Sequence, residues 1–269
     1  MLRLGWLTTG RGPGSRGFFE VVHGAIESGT LDANIEYVFS NRERGEGEGS
    51  DALFDRVTGL GVPLVTVSSR RFRREHGGGS WAGHREAFHA EAMRLFADFE
   101  VDACVLAGYM LIVSDEMSRR LNLLNLHPAL PDGPEGTWQE VIWDLIASKS
   151  DRTGVMVHVA TEVLDGGPVL AHCGYPIRGG DYDALWADAG NVPDGELHER
   201  GEEQPLFAAI RHEGMQRERP LLLETLRALA SGRLHIGDRK VTDGRGEELP
   251  NGLRLDAEVD AYLSAPGRV

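Results

Sequence analysis

Leu123-Leu124-Asn125-Leu126-His127-Pro128 is the stretch that decides the fold, because an apolar strand-like run ends there in polar side chains. A second such run, Val155 to Val159, leads into Leu164-Asp165-Gly166-Gly167-Pro168, and a helical pattern from Trp138 to Ala147 separates the two. Open α/β sheets build their active sites in the crevice beyond the carboxyl ends of their strands. We therefore predict that an amide, an imidazole and a carboxylate meet in one active site: Asn125, His127 and Asp165.

Strand-like runs alternate with helical patterns upstream of this stretch. Four such runs precede it: Leu2 to Thr8, Ile35 to Phe39, Pro63 to Val67 and Asp102 to Ala107. Strands that alternate with helices and are joined by short turns are typical of a parallel sheet covered on both faces. The sequence therefore predicts an α/β fold with a doubly wound, mostly parallel sheet.

The downstream part predicts a further strand, a long helix and an extension. Pro168 to Cys173 has the strand pattern, and Gln204 to Ala230 has the pattern of an amphipathic helix that Pro220 kinks or breaks. The tail that follows has a hairpin-like turn at Asp243 to Gly246 and little core-forming material. We therefore divide the chain into a domain of residues 1–234 and an extension of residues 235–269 lying on its surface.

Three glycine-rich or polar stretches predict loops. Thr9 to Gly17 forms a turn before a helix from Phe18 to Glu27, and Arg178 to Gly201 is irregular. The first turn can cradle an anion at the helix N-terminus, although it lacks the dinucleotide fingerprint and the P-loop ending, so a merely tight turn is equally compatible. Ser68 to Gly79 predicts a mobile loop, whose four arginines either hold a phosphate or polyglutamate tail or form a solvated surface.

Composition excludes several classes of protein. The chain has 269 residues, 41% hydrophobic, and a formal net charge of −14, whereas a nucleic-acid surface would be basic. No apolar run approaches the roughly 20 residues of a membrane span, and the start lacks a signal peptide's long apolar region. Cys104 and Cys173 lie in strand-like runs and predict buried free thiols, which favours the cytoplasm. We expect a small-molecule substrate, no nucleic acid, no membrane, no metal, and a monomer or homodimer.

Six motifs in order resemble the folate-dependent formyltransferase family, and together they span about residues 1–234. They are Val38-Phe39-Ser40-Asn41, Arg85-Glu86-Ala87-Phe88, Leu106-Ala107-Gly108-Tyr109-Met110, Asn125 to Pro131, Gly154 to His158 continuing to Val169, and Leu229 to Leu234. A lone Asn-x-His would be weak, but the ordered set is specific. The resemblance implies formyl transfer from 10-formyltetrahydrofolate to an amine, and within the family the chain is most similar to the purine-synthesis members that formylate glycinamide ribonucleotide.

The resemblance also assigns catalytic roles. Asn125 and His127 would hydrogen-bond the formyl oxygen and stabilise the developing oxyanion. Asp165 would orient His127, favour its protonated form and help remove the proton of the attacking amine through water. His158 matches a family histidine beside the aspartate, yet on an apolar strand it is equally compatible with a satisfied core residue.

Ligand-binding roles follow from the same resemblance. The turn of Gly14, Ser15, Arg16 and Gly17 would bind the substrate phosphate, with help from Arg85, and Glu213 would bind the glycinamide end. Two loops would enclose the pteridine ring: Tyr109, Met110, Leu111 and Ile112 in one, and Val159, Ala160, Thr161 and Leu164 in the other. The chain departs from the family at Leu111, where an arginine is usual, and in its longer first turn without asparagine.

Three alternatives remain open. A formyltransferase acting on another amine, such as an amino sugar nucleotide, would use the same Asn125, His127 and Asp165. A folate- or nucleotide-binding protein of this fold without turnover would also be acidic and doubly wound, although the intact catalytic set disfavours it. A dinucleotide oxidoreductase is disfavoured by the interrupted glycine fingerprint.

Overall fold

The computed structural model describes residues 1–163, 165–192 and 194–265. Its helices are α1 Pro13–Glu27, α2 Glu48–Gly59, α3 Ser69–Glu75, α4 Arg85–Leu95, α5 Asp115–Arg120, α6 Trp138–Ala147, α7 Asp181–Gly190, α8 Asp194–Glu199, α9 Pro205–Ala230 and α10 Asp256–Ser264. Its strands are β1 Leu2–Thr8, β2 Ala33–Ser40, β3 Leu64–Thr66, β4 Ala103–Leu106, β5 Leu123–His127, β6 Arg152–Val159, β7 Val169–Pro176, β8 Leu234–Gly237, β9 Lys240–Asp243 and β10 Leu253–Arg254. Short 3₁₀ turns occur at Trp81–Gly83 and Gly201–Glu203.

Eight strands form one sheet in the order β10-β7-β6-β5-β4-β1-β2-β3, and β8 pairs with β9 as a separate hairpin. Strands β5, β4, β1, β2 and β3 run parallel, whereas β6 is antiparallel to both β5 and β7. The prediction of a mostly parallel, doubly wound sheet with a long C-terminal helix is confirmed. The reversal at β6 matters for the site, because it pairs Asn125 with His158 across the two strands.

Two apolar clusters cover the two faces of the sheet. The larger contains Leu4, Trp6, Val38 and Val105 from the strands, packed against α1, α6 and α9. The smaller contains Leu7, Tyr37, Phe39 and Cys104 from the opposite pleats, packed against α4 and α5. Side chains that alternate between faces along one strand explain why consecutive residues such as Trp6 and Leu7 fall in different clusters. Cys104 and Cys173 are both free and buried, as predicted.

Three helix predictions were wrong. Helix α1 begins at Pro13, five residues before the predicted Phe18, because proline fits the first helical position where no N–H is needed. The stretch predicted as a mobile loop contains α3, whose N-cap Ser68 accepts a hydrogen bond from the Arg71 backbone N–H. The stretch predicted as irregular after β7 contains α7 and α8.

Helix α9 is continuous through Pro220 and ends where the sequence predicted. Gly232 has φ of 72°, and the Arg233 N–H bonds the Ala228 carbonyl, which closes the helix C-terminus. Pro220 is buried within the helix without breaking it.

The tail contributes more to the core than the sequence suggested. Strand β10 pairs with β7 at the edge of the sheet, and Leu255 and Val259 are fully buried in the larger cluster. The reversal between β8 and β9 lies at Asp238 and Arg239, both with positive φ, rather than at the predicted turn. That predicted turn, Asp243 to Gly246, does reverse the chain again, since Thr242 bridges Glu248.

Candidate active site

Asn125, His127 and Asp165, which were predicted to meet, do lie together, and His158 lies with them between β5, β6 and the loop that follows β6. Asp165 lies between two imidazoles: its carboxylate is 3.6 Å from His127 Nδ1 and 3.7 Å from His158 Nε2. The Asn125 amide nitrogen lies 3.1 Å from His158 Nε2. His127 and His158 are 3% and 1% exposed, so the cluster is almost closed to bulk water. The prediction of their proximity is confirmed, and their catalytic roles stay predictions.

The backbone around Asp165 explains how a carboxylate reaches back over β5. Asp165 has φ of 53°, a left-handed conformation that Asp tolerates better than most residues. Two residues later, a Cβ at Gly167 would lie 1.7 Å from the Val159 carbonyl oxygen, so only glycine permits this close return of the chain. Leu164, one of the residues predicted to contact the folate, lies outside the described residues.

His127 is held by hydrogen-bond acceptors on both sides of its ring. Its Nε2 lies 2.9 Å from the Pro134 carbonyl oxygen, while its Nδ1 faces Asp165. The Pro134 carbonyl therefore occupies Nε2, and the Nδ1 side of the ring faces the carboxylate. The Pro134 carbonyl was missed by sequence analysis, because no side-chain pattern marks a backbone acceptor.

His158 is kept neutral by burial. Desolvation lowers its pKa, and the nearby Asp165 charge opposes this shift only in part. A neutral imidazole can accept a hydrogen bond at Nε2 from the Asn125 amide, which fixes the direction of that amide. His158 is thus buried and contacts both Asn125 and Asp165, and its role stays a prediction.

A cavity of about 590 Å³ opens directly beside Asp165. Its walls carry acidic and aromatic side chains: Glu135, Glu140, Trp143, Asp144, Asp165 and His198. Trp143 and His198 lie with their ring centroids 4.2 Å apart. Apart from Asp165, sequence analysis did not single out these wall residues, because the charged positions of an amphipathic helix such as α6 normally face solvent. The cavity's acidity favours a cationic or hydroxyl-rich ligand over an anionic one.

The predicted folate loops form a second, apolar wall. Met110, Ile112 and Val163 are 78%, 57% and 66% exposed, which is unusual for large apolar side chains clustered on two loops near one site. Leu111 and Ala160 pack on the smaller core cluster and bring the two loops together. Val159 is buried in β6, and Thr161 accepts a hydrogen bond from the Val163 backbone. These surfaces suit a flat apolar ring.

Tyr109 faces away from this wall. Its hydroxyl lies 3.0 Å from His89 Nε2, and its ring packs 6.2 Å from Phe39 in the core. His89 in turn accepts the Ser114 backbone N–H at Nδ1, so the three residues fix the loop that carries Met110. Burial lowers the pKa of His89 to about 4, and it is therefore neutral near pH 7. Sequence analysis missed this supporting network.

The predicted phosphate-binding residues lie in the first turn of α1 rather than in a loop before it. Gly12 is the N-cap, Pro13 has no N–H, and the next amides belong to Gly14 and Ser15. Ser15 lies against Gly108, whose Cβ would come within 2.9 Å of the serine, so this turn adjoins the loop after β4. Arg16 has a buried Nε without a partner, and Gly17 is covered by the Arg219 guanidinium.

Two further predicted substrate contacts are engaged within the protein. Arg85, at the start of α4, pairs with Asp115 at 3.4 Å and with Glu86 at 3.9 Å. Glu213, on α9, pairs with Arg217 at 2.5 Å. Either side chain would have to exchange an existing ion pair for a ligand, and their predicted roles stay predictions.

The cluster brings an amide, two imidazoles and a carboxylate within contact distance of one another. Within the described ranges, no group of three or more His, Cys, Asp or Glu side chains is arranged to hold a metal ion. In that same part of the chain, no helix is long and apolar enough to cross a membrane.

Comparisons with known proteins agree with this geometry. Phosphoribosylglycinamide formyltransferase of Escherichia coli (strain K12) is 27% identical over 160 residues, covering 58% of this chain and 66% of that protein. The same enzyme of Mycobacterium tuberculosis (strain CDC 1551 / Oshkosh) is 29% identical over 163 residues, covering 60% of this chain and 64% of that protein. The aligned segment thus spans slightly under two thirds of either relative.

Solved structures extend the similarity over most of the fold. Phosphoribosylglycinamide formyltransferase from Coxiella burnetii superposes with a TM-score of 0.64 at 20% identity, covering 94% of this chain and 98% of that one. Glycinamide ribonucleotide transformylase 1 from Geobacillus kaustophilus superposes with a TM-score of 0.57 at 25% identity, covering 86% of this chain and 99% of that one. The family model described as formyl transferase matches residues 12–184, which include all four clustered residues. The chain therefore belongs to the formyl transferase family of enzymes.

Proposed function

We propose that this protein transfers a formyl group from 10-formyltetrahydrofolate to the primary amine of glycinamide ribonucleotide, a step of purine synthesis. The observation that carries the proposal is the buried contact of Asp165 with both His127 and His158, next to Asn125, within the family-matched segment. Relatives that share this segment are named for the same acceptor.

The residues divide the work of the transfer. Asn125 donates a hydrogen bond to the formyl oxygen as negative charge develops on it, and His127 does the same once its Nε2 exchanges the Pro134 carbonyl for that oxygen. The acceptor nitrogen forms a bond to the formyl carbon while the bond from that carbon to the donor nitrogen breaks. Asp165 accepts the proton that the attacking amine loses, through water, and the departing donor nitrogen takes up a proton. His158 orients the Asn125 amide through its Nε2.

The donor fits the apolar wall beside the cluster. Met110, Ile112 and Val163 expose apolar surface that a pteridine ring would cover, and covering such surface stabilises a complex by about 25 cal/mol per Å². Tyr109 supports the wall from behind through His89 rather than by contact with the ring. The donor's formyl group would then lie against Asn125 and His127.

A second candidate is formyl transfer to a different amine, such as an amino sugar nucleotide. The cavity beside Asp165 is acidic, which favours an ammonium group and repels phosphate. In addition, Pro13 removes one N–H from the first turn of α1, where a substrate phosphate would bind. Both observations weaken the case for a phosphate at these two places. Because an amino sugar nucleotide also carries phosphate, the choice between the two acceptors is left to the assay below.

We also propose that the protein works in the cytoplasm as a monomer or homodimer. The burial of two unpaired cysteines supports a reducing compartment.

The deciding experiment is a formyl-transfer assay with 10-formyltetrahydrofolate, followed by the absorbance change on deformylation of the folate. Glycinamide ribonucleotide, its dephosphorylated riboside and an amino sugar nucleotide are compared as acceptors. Turnover that requires the ribonucleotide supports the proposal. Turnover with the amino sugar nucleotide alone establishes the second candidate, and folate binding without turnover with any of these amines would show a binding protein of this fold.

A further inference from the structure

A second pocket lies at the opposite end of the sheet's carboxyl edge, and none of Asn125, His127, His158 and Asp165 lines it. It encloses about 230 Å³ beyond the ends of β1, β2 and β3. Arg11 and Arg42 line it from the connections that follow β1 and β2, and Arg70 lines it from the first turn of α3. Met110 and Leu111 form its inner wall, so it adjoins the loop assigned to the donor. We call it the arginine pocket.

The arginine pocket is lined mainly by basic side chains, whereas the molecule as a whole is acidic. The chain carries 42 acidic and 28 basic residues, yet three arginines line this pocket with Glu46 as the one acid among its lining side chains, all within the described residues. Glu46 is held from behind by the Ser68 hydroxyl at 2.6 Å and the Glu43 backbone N–H at 2.8 Å. An acidic protein repels anions at long range, so binding one requires a local cluster of this kind.

Two of the arginines have unused hydrogen-bonding capacity. Neither Arg11 nor Arg70 makes a side-chain hydrogen bond or ion pair with another described residue. Arg42 is half-buried and donates from Nη1 to the Glu46 carbonyl oxygen at 3.1 Å, which leaves its other N–H groups available. Guanidinium groups with free donors are suited to the planar, bidentate recognition of phosphate and carboxylate.

Asn41 supplies an independent observation. It lines the pocket, is 5% exposed, and has an amide oxygen without a partner. Its amide nitrogen donates to the Ser69 hydroxyl at 3.2 Å. If the amide is rotated, the serine donates to the oxygen and the NH₂ group is left unpaired instead. In either orientation a buried amide has one group that only a ligand or water in the pocket can satisfy.

We propose that the arginine pocket binds an oxyanion, either a phosphate or a carboxylate group. Strands β5 and β2 are three positions apart in the sheet, about 14 Å at the usual strand spacing, so an extended substrate can reach from the catalytic cluster to the pocket. The pocket itself does not depend on the proposed function, and only the assignment of the anion's source rests on it. The sources to be distinguished are the donor's glutamyl carboxylates, the acceptor's phosphate and a free inorganic anion.

The test compares two double variants that lose the same charge. Arg11→Gln/Arg70→Gln removes the two pocket arginines without partners, and Arg73→Gln/Arg74→Gln removes two exposed arginines of α3 that do not line the pocket. Pyrophosphate binding is measured by calorimetry at constant ionic strength. We expect the pocket variant to bind about tenfold or more weakly, as loss of charged hydrogen bonds implies, and the α3 variant to bind like the wild type. Equal affinity of all three proteins would overturn the proposal.

Steady-state kinetics then identify the source of the anion. A rise in KM in the pocket variant for a triglutamyl donor but not for the monoglutamyl donor assigns the pocket to the donor's carboxylates. A rise for glycinamide ribonucleotide but not for its dephosphorylated riboside assigns it to the acceptor's phosphate. Unchanged KM values with weakened pyrophosphate binding assign it to a free anion. Failure of every acceptor to be formylated would contradict the proposed function while leaving the pyrophosphate result intact.

Discussion

At the scale of single residues, the conformation of Asp165 links backbone geometry to chemistry. Its left-handed φ and the close return at Gly167 place a carboxylate between two buried imidazoles. Backbone held in a sparsely populated region costs of the order of 1–3 kcal/mol and is commonly found at functional sites. Asparagine tolerates the same conformation, so a substitution can remove the charge and keep the loop.

Asp165→Asn therefore tests the carboxylate by itself. We expect turnover to fall by about 100-fold or more, the usual scale for loss of a general base, with little change in the unfolding midpoint. The measurement is kcat for formyl transfer alongside circular dichroism, with exposed Asp98→Asn as a control for charge. Turnover within a few-fold of the wild type would contradict the role given to Asp165. The same assay on His127→Ala tests the proposed oxyanion donor.

His89 makes stability depend on pH. Burial lowers its pKa to about 4, whereas an unfolded histidine titrates near 6.5, so the unfolded state binds more protons between these values. The free energy of unfolding is therefore expected to fall as the pH drops from 6.5 to about 4, by up to about 3 kcal/mol from this residue. Urea titrations across this range measure the slope. His89→Gln should reduce the slope of the unfolding free energy against pH, and the exposed His235→Gln should leave it unchanged. Identical slopes in the wild type and both variants would contradict the role given to His89.

The proximity of the proposed catalytic residues was predictable because each lies at or near the end of an apolar run, where sheet topology brings side chains together. Asn125 and His127 end β5, and His158 lies opposite Asn125. The Pro134 carbonyl and the inward direction of Tyr109 were not predictable, because they depend on how loops fold back and which core cavity accepts a phenol. A local sequence pattern shows neither how a loop folds back nor which core cavity accepts a side chain.

At the scale of elements, α6 shows a boundary that local sequence specifies well. Thr137 accepts the Glu140 backbone N–H, and the Glu140 carboxylate accepts the Thr137 backbone N–H, forming a capping box. The helix begins at Trp138, as predicted, and carries the wall of the cavity beside Asp165. By contrast, the start of α1 at Pro13 was missed because its flanking glycines also suit a turn.

Thr137→Ala is expected to destabilise the protein by about 1 kcal/mol, since it leaves a helix N–H without its cap. Chemical denaturation provides the measurement. Thr58→Ala is the matched control, because the Thr58 hydroxyl bonds the Phe54 carbonyl inside α2 and is not a cap. A loss of stability no larger than that of the control would show that the box contributes little.

At the scale of the whole molecule, the last 30 or so described residues belong to the fold's core. Leu255 is fully buried in the larger cluster, and α10 packs on α9. This could not be predicted, because a strand of two residues and one short helix leave almost no periodic signal. The antiparallel β6 was equally hidden, since strand direction depends on how the chain crosses the sheet and not on local pattern.

Leu255→Ala is expected to cost about 2–5 kcal/mol, the usual range for truncating a buried leucine. Leu263→Ala, at 37% exposure in α10, should cost far less and serves as the control. Equilibrium unfolding in urea, followed by fluorescence, distinguishes a tail built into the core from one resting on its surface. Similar effects of the two substitutions would support the surface extension that the sequence suggested.

The shortness of β10 has a consequence for the solution behaviour of the protein. Strand β7 has eight residues, but β10 covers it only at Ala171 and His172, and the Asp256 carboxylate accepts the Gly174 N–H just beyond. A charged side chain that occupies a strand's outer N–H discourages a second chain from adding there. The tail thus covers the outer edge of β7, which could otherwise pair with a strand of another chain. We expect proteolytic removal of the tail to expose this edge and to let molecules polymerise through β7.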